Sequence, residues 1–317
     1  MTKRKLLKAG LFGHSLLVMA TAYGTNNKQN PVEANQKVLI GVTSLLHQLP
    51  RTDSGTRSNL LVDSSLVHLQ ELYESELAAA PKVRLNSSVK TYVAQYMKSN
   101  EEALEKVKKG GDRHFRIIES IFRKYDLPTE LKYLAVIESQ LKTSAVSHAG
   151  AVGPWQFMST TARELGLKVT SRYDERKNFY KSTGAAAKYL RDLYTAYGDW
   201  LLVIAAYNAG PGKVDYAIKR SGSRNFYRLQ NFLPAETRHH VKRFIGTHYY
   251  FEGRGSEVTL TKAEAAEYRR VMDKFLVEQK GYWEELMAII SLEKEERAPK
   301  IVMAEIPLAE DISLPSK

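Results

Sequence analysis

The sequence predicts a mostly α protein, and three observations carry that reading. Apolar residues recur at the helical period along most of the chain. Capping residues, prolines and glycines stand at the ends of those stretches, where helices start and stop. No period-two run long enough to build a sheet is present, and the only strand-like triplet is "VTL" near Val258.

The N-terminus comes first. "MTKRK" is basic, "LLKAGLFGHSLLVMA" is mostly apolar, and Ala20-Thr21-Ala22 has the small-x-small form of a cleavage site. Residues 1–22 therefore read as a secretory signal peptide, with an apolar core too short for a membrane span. No cysteine follows it, so a lipid anchor is not expected. Residues 23–60 are rich in Asn, Gln, Thr and Ser, the composition of a polar linker.

From residue 61 the helical period takes over. "SSLVHLQELYESEL" sets Leu66, Leu69, Leu72, Tyr73 and Leu77 near one face. "NSSVKTYVAQYMKSNEEALEKVKK" reads as one helix with Asn86 or Ser87 as N-cap, ended by Gly110-Gly111. "DRHFRIIESIFRKYD" follows, and then "LPTELKYLAVIES", with Pro128 near its first turn. The block from Gly150 to Gly153 breaks the pattern before a short helix in "TTAREL". "STGAAAKYLRDLYTAYG" packs through Ala185, Ala186, Tyr189, Leu190 and Leu193. "WLLVIAAYNAG" is an apolar helix stopped by Gly210-Pro211, and "PAETRHHVKRFIGTHYYF" opens on a proline. The expected domain spans residues 61–255, with residues 256–317 forming a helix and a disordered tail.

Composition narrows the function. The chain has 317 residues and a formal net charge of +12, which suits an anionic partner such as an acidic glycan or a membrane surface. Its basic residues are scattered among acids rather than interleaved with aromatics, so nucleic acid is not expected. The absence of cysteine excludes disulfides, thiolate catalysis and cysteine zinc sites. No GxSxG elbow, HExxH, P-loop or GxGxxG is present, and neither a metal nor a cofactor is expected. His239, His240 and His248 supply at most two ligands on one helix face, without a matching acid cluster.

Glu138 stands out because it interrupts the apolar run "LKYLAVIES". A helix apolar on all sides is normally buried, and desolvation of a carboxylate favours its protonated form, which suits general acid work. A structural glutamate paired with a cation fits the same position. Downstream, Ala149 to Gly153 offers bare backbone for close approach to a ligand, Gln156 can donate and accept, and Trp155 or Phe157 can stack on a sugar. A second island, "AAYNAGPG", puts Tyr207 and Asn208 at the end of an apolar helix. Alone, the first island also reads as a helix-to-helix turn with aromatic core residues, and the second as a capped helix end; with the carboxylate they read as a cleft.

The motifs "ELKYLAVIES", "SHAGAVGPWQFMSTTA", "AAYNAGPGKV" and "LPAETRHHV", in that order, resemble the SLT (soluble lytic transglycosylase) catalytic domain of lytic murein transglycosylases. The likeness is strongest to the membrane-bound D-like branch. It implies a lysozyme-like, goose-type helical domain with a glycan-binding cleft, in the periplasm or cell envelope of a Gram-negative bacterium. It also implies cleavage of the β-1,4 bond between N-acetylmuramic acid and N-acetylglucosamine, leaving a 1,6-anhydromuramoyl end. The family's catalytic acid falls on Glu138, and its cleft residues fall on Ser139, Ser147, Gln156, Tyr207 and Asn208. The implied partner is the peptidoglycan glycan strand, with a membrane surface or cell-wall synthesis proteins as further candidates.

Two positions depart from the family pattern. Pro154 replaces a leucine in the Gly-Leu-x-Gln turn, and His240 stands where the family has tyrosine in "ETRxYV". No LysM glycan-binding repeat is found in residues 256–317. Two rival functions fit the same fold. A hydrolytic muramidase would want a second carboxylate, at roughly 6.5–9.5 Å for inversion, and Asp174 and Glu175 are the candidates. A non-catalytic peptidoglycan-binding protein would not need Glu138.

Overall fold

The computed structural model describes residues 80–278. The chain separates into two units, Met1–Pro81 and Lys82–Lys317, and every element below belongs to the second. The signal peptide, the linker, the helix expected around Leu66–Leu77 and the tail beyond residue 292 lie outside the described residues.

The mostly α expectation holds. Helix α1 (Ser87–Ser99) starts at Asn86, whose side chain accepts from Ser88 N, as an N-cap should. It does not run on to Gly110: α2 (Glu101–Gly110) is a separate helix. Asn100 makes the break, because its side-chain amide donates to the Tyr96 carbonyl while its own carbonyl accepts from Leu104 N. One residue thus caps both helices. Helix α3 (Asp112–Lys124) then buries Ile118, Ile121 and Phe122.

After Pro128 the chain makes a 3₁₀ turn, Thr129–Lys132, before α4 (Tyr133–Ser139). The loop that follows carries isolated bridges, Val146 to Val152 and Val152 to Phe157, instead of a sheet. Next come the short α5 (Ser159–Glu164), a 3₁₀ turn at Glu175–Lys177, and the long α6 (Phe179–Tyr197).

Helix α7 (Trp200–Ala209) is the axis of the domain. Residues Trp200 through Ala206 are all buried, and α6, α8 and α10 pack around it. A helix apolar on all sides has no solvent face, so it takes the centre. Asp199 anchors its N-terminus by accepting from Leu201 N and Leu202 N. The helix stops before Gly210, as expected, and Pro211 at once opens α8 (Pro211–Ser221) as its first residue.

A short α9 (Phe226–Leu229) leads to α10 (Ala235–Glu252), which runs against α1, α4 and α7. The triplet at Val258 is a 3₁₀ turn, Glu257–Thr259, rather than a strand. Residues 262–278 are helical to the end of the described chain. That last helix is bonded to the domain, since Lys262 N donates to Asp199 Oδ2 and Asn86 Nδ2 donates to Glu264.

Candidate active site

Glu138 is the penultimate residue of α4, at a helix end rather than mid-helix. The helix stops because Gln140 and Leu141 both turn left-handed, at φ of 55° and 65°. Their N–H groups close the end by donating to Val136 and Ala135 carbonyls. Two adjacent non-glycine residues in this region store backbone strain beside the acid.

The apolar neighbours behave as the helical stripe requires: Leu131, Leu134 and Leu141 are buried. The Glu138 side chain itself is only partly buried, at 15% exposure, against the expectation of full burial. Its partner is not Lys or Arg. His240, on α10 and 2% exposed, places Nε2 at 2.8 Å from Glu138 Oε1. The other imidazole nitrogen, Nδ1, is buried with no hydrogen-bond partner. The tautomer carrying its proton on Nε2 donates to Glu138 and leaves at Nδ1 only an unmet acceptor, which costs less than an unmet donor.

Tyr207 closes a second side. Its hydroxyl donates to the Trp155 carbonyl at 2.7 Å. Burial pushes this phenol well above its ordinary value, and the charges of Glu138 and Tyr189 push the same way. It is therefore a neutral donor standing in the field of the acid. Asn208, the next residue, accepts from Thr237 Oγ1 at 2.8 Å, which ties the end of α7 to α10 one turn before His240.

The remaining predicted residues shape the loop. Ser139 Oγ donates to the Pro154 carbonyl at 2.9 Å, fastening the acid-bearing helix to the turn. Ser147 Oγ accepts from Ala151 N at 3.0 Å, inside its own hairpin. Gln156, at φ of 48°, turns its amide back to donate to Gly153 O at 2.8 Å and, more weakly, to Ala145 O.

Two expectations for this loop are corrected. Trp155 and Phe157 are core residues, at 0% and 3% exposure, and Trp155 Nε1 donates to Thr183. Neither face is open to a sugar. Gly153 is small for an internal reason: at φ of 87°, an added Cβ would lie 2.0 Å from the Arg176 carbonyl. The chain that comes close there is this protein's own.

Arg176 is the residue that sequence reasoning missed. It is buried, donates to the carbonyls of Gly150 and Phe157, and forks onto Asp174. It thus clamps the loop from behind. Its hydrogen bonds hold the Asp174 carboxyl below the ordinary range. Glu175 is held low too, by Lys168 N–H and then by Lys181. Both acids offered as a second catalytic carboxylate are engaged in this support. The one visible hint was the dense charge of "YDERKN".

Comparison with known proteins agrees with the class that these residues define. Residues 116–230 match the model of the transglycosylase SLT domain. The helical unit bearing Glu138, Tyr207 and the glycine turn is thus similar to that domain, as the motifs implied.

Among particular proteins, the chain is 35% identical over 165 residues to membrane-bound lytic murein transglycosylase D of Escherichia coli strain K12. That match covers 50% of this chain and 36% of the relative, so the chain spans little more than a third of that protein's length. It is 36% identical over 117 residues to peptidoglycan transglycosylase gp16 of Escherichia phage T7, covering 33% of this chain and 9% of the relative. Among solved structures, the 70-kDa soluble lytic transglycosylase of Escherichia coli overlaps 82% of this chain and 46% of its own. The TM-score there is 0.41 at 19% identity.

Proposed function

We propose that this protein is a peptidoglycan lytic transglycosylase of the cell envelope, with Glu138 as its single acid and base. The observation that carries the reading is the isolated carboxylate at the end of α4, held at one oxygen by a buried imidazole. It lies in the segment similar to the SLT domain.

In this reading a murein strand lies across the loop of residues 145–157. Glu138 donates a proton from Oε2 to the glycosidic oxygen as the bond breaks toward an oxocarbenium-like state. The N-acetyl carbonyl of the muramoyl residue steadies the cation. Glu138, now a carboxylate, takes the proton of the muramoyl C6 hydroxyl as that oxygen attacks C1, and the 1,6-anhydro ring closes. The nucleophile belongs to the substrate, so no second protein carboxylate is needed. The engagement of Asp174 and Glu175 with Arg176, Lys168 and Lys181 supports this over a hydrolytic muramidase.

His240 is the positioning residue of this scheme. Its donor on Oε1 turns the other carboxylate oxygen to the substrate, and the contact strengthens when the proton leaves. Tyr207 and Ser139 hold the turn through the Trp155 and Pro154 carbonyls. Asn208, Ser147 and Gln156 fix the walls on which the acetamido group is oriented.

The test is product analysis of digested sacculi by mass spectrometry beside the Glu138→Gln variant. Anhydromuropeptides from the parent protein and none from the variant are expected. Reducing muramoyl ends would mean hydrolysis instead, and undiminished lysis by Glu138→Gln would remove the acid assignment.

A further inference from the structure

The face of α10 that turns toward α1 carries cations with no acid to meet them. Arg238, Lys242 and Arg243 form no ion pair among the described residues, although Arg238 does donate to the Leu233 carbonyl. Burial and the neighbouring Arg238 charge hold the Lys242 ammonium below its ordinary value. Arg243 is the sharpest case. It is partly buried, and its Nε is shielded from solvent with no hydrogen-bond partner. A guanidinium keeps its charge, so shielding one of its donors without an acceptor is costly.

Aromatic rings line the junction of α1 and α10. Tyr92 lies parallel to His239, with centroids 5.5 Å apart and planes at 12°. It lies parallel to Tyr96 as well, at 6.4 Å and 5°. The Lys242 ammonium stands 5.7 Å from the Tyr92 centroid. Burial raises both phenols, and the charge of Arg243 acts on each in the opposite direction. Tyr96 is fixed inward by its contact with Thr247, whereas His239 is exposed and Tyr92 half-exposed. Helix packing accounts for the stacked rings. It does not account for a guanidinium that forms no ion pair among the described residues and has one shielded donor without an acceptor.

The place matters too. On α10, Arg243 lies one helical turn beyond both His239 and His240, the residue that touches Glu138. The wall is therefore continuous with the acid's surroundings.

We infer that this junction of α1 and α10 is a subsite for a carboxylate carried on the glycan strand, with Arg243 as the anion's partner and Tyr92 as the wall for the adjoining ring. The fork of a guanidinium fits a carboxylate in two-point contact, and an aromatic face offers apolar area to the C–H side of a sugar. The inference rests on the reading that a murein strand lies against Glu138. Such a strand can supply the carboxylate from its stem peptide, or from the lactyl group once the peptide has been removed.

Binding by the Glu138→Gln protein separates this from catalysis. Three probes are compared by calorimetry: peptide-bearing strands, amidase-stripped strands with free lactyl carboxylates, and uncharged chitin oligomers. Adding Arg243→Gln is expected to weaken binding of a charged probe on the order of tenfold and to leave chitin unchanged. The charged probe that responds identifies the source of the carboxylate. Arg243→Lys, which keeps charge but loses the fork, should fall between, and serves if the glutamine variant fails to fold. Tyr92→Leu should weaken all three probes by about threefold, the loss of one modest ring contact. Unchanged affinity for both charged probes, or an equal loss on chitin, overturns the subsite. Failure of the activity reading shows separately, as missing anhydromuropeptides from the parent protein.

Discussion

His240 Nε2 and Glu138 Oε1, 102 residues apart in the chain, stand 2.8 Å from each other. The contact joins the end of a seven-residue helix, itself fastened to the glycine turn by Ser139, to the long α10. It gives one carboxylate oxygen a permanent partner and leaves the other free. The imidazole stands at the position where the resembling family has a tyrosine.

Replacing that imidazole should be felt in turnover more than in folding. His240→Phe leaves the part-buried carboxylate without its donor, a loss of about 1.5–3 kcal/mol for a hydrogen bond to a charged group. The expected fall in kcat is about ten- to a hundredfold, with KM on soluble strands changed little. His240→Tyr restores a donor and should recover most of the loss. A His240→Phe variant that turns over like the parent would show the contact to be packing alone.

The glycine turn gives a prediction about the scaffold. Gly153→Ala would place a Cβ 2.0 Å from the Arg176 carbonyl at φ of 87°. Left-handed strain and overpacking each cost about 1–3 kcal/mol, so a destabilisation of about 2–6 kcal/mol is expected. Gly150→Ala shares the backbone angle but meets nothing within 4 Å. It should cost only the strain, about 1–3 kcal/mol. Chemical denaturation of the two variants side by side checks the difference. Equal losses would mean that the approach of the Arg176 carbonyl is not what fixes the residue.

The same turn marks the limit of what the sequence discloses. Glu138, Tyr207 and Asn208 were legible because each is a polar residue breaking an apolar helix, a local contrast that survives without knowledge of the fold. Trp155 and Phe157 were not, because an aromatic beside glycines serves core and cleft equally well. Only packing of Trp155 against Phe122 and its bond to Thr183 decide for the core. The Arg176 clamp was hidden for a related reason: its acceptors at Gly150 and Phe157 are 26 and 19 residues away. One helix boundary misled through a dual signal: Asn100 ends one helix and begins another. The helices themselves were readable because amphipathic periodicity is a property of neighbours in sequence. The loop was not, because its shape is set by residues brought from elsewhere.

The far end of α10 carries a pH dependence of its own. His248 is fully buried, with Nε2 at 2.8 Å from Ser256 Oγ and Nδ1 without a partner. Burial first, and then the charges of Lys132 and Arg254, hold its pKa down at about 3. In the unfolded chain an ordinary histidine takes a proton near pH 6.5. Below that value, and down to about 3, the unfolded state binds one more proton at this position than the native state. Stability attributable to His248 is therefore complete above pH 6.5 and is lost as the pH falls, at up to about 1.4 kcal/mol per unit. Asp174 and Glu175, whose depressed carboxyls matter only below about pH 4, cannot produce a slope in the range 5–6.5. Urea unfolding between pH 5 and 7 should accordingly show falling stability on acidification. His248→Phe, which cannot titrate, should show a flatter profile over the same interval. A parent protein equally stable at both ends of that range would mean that His248 is protonated in the native state after all.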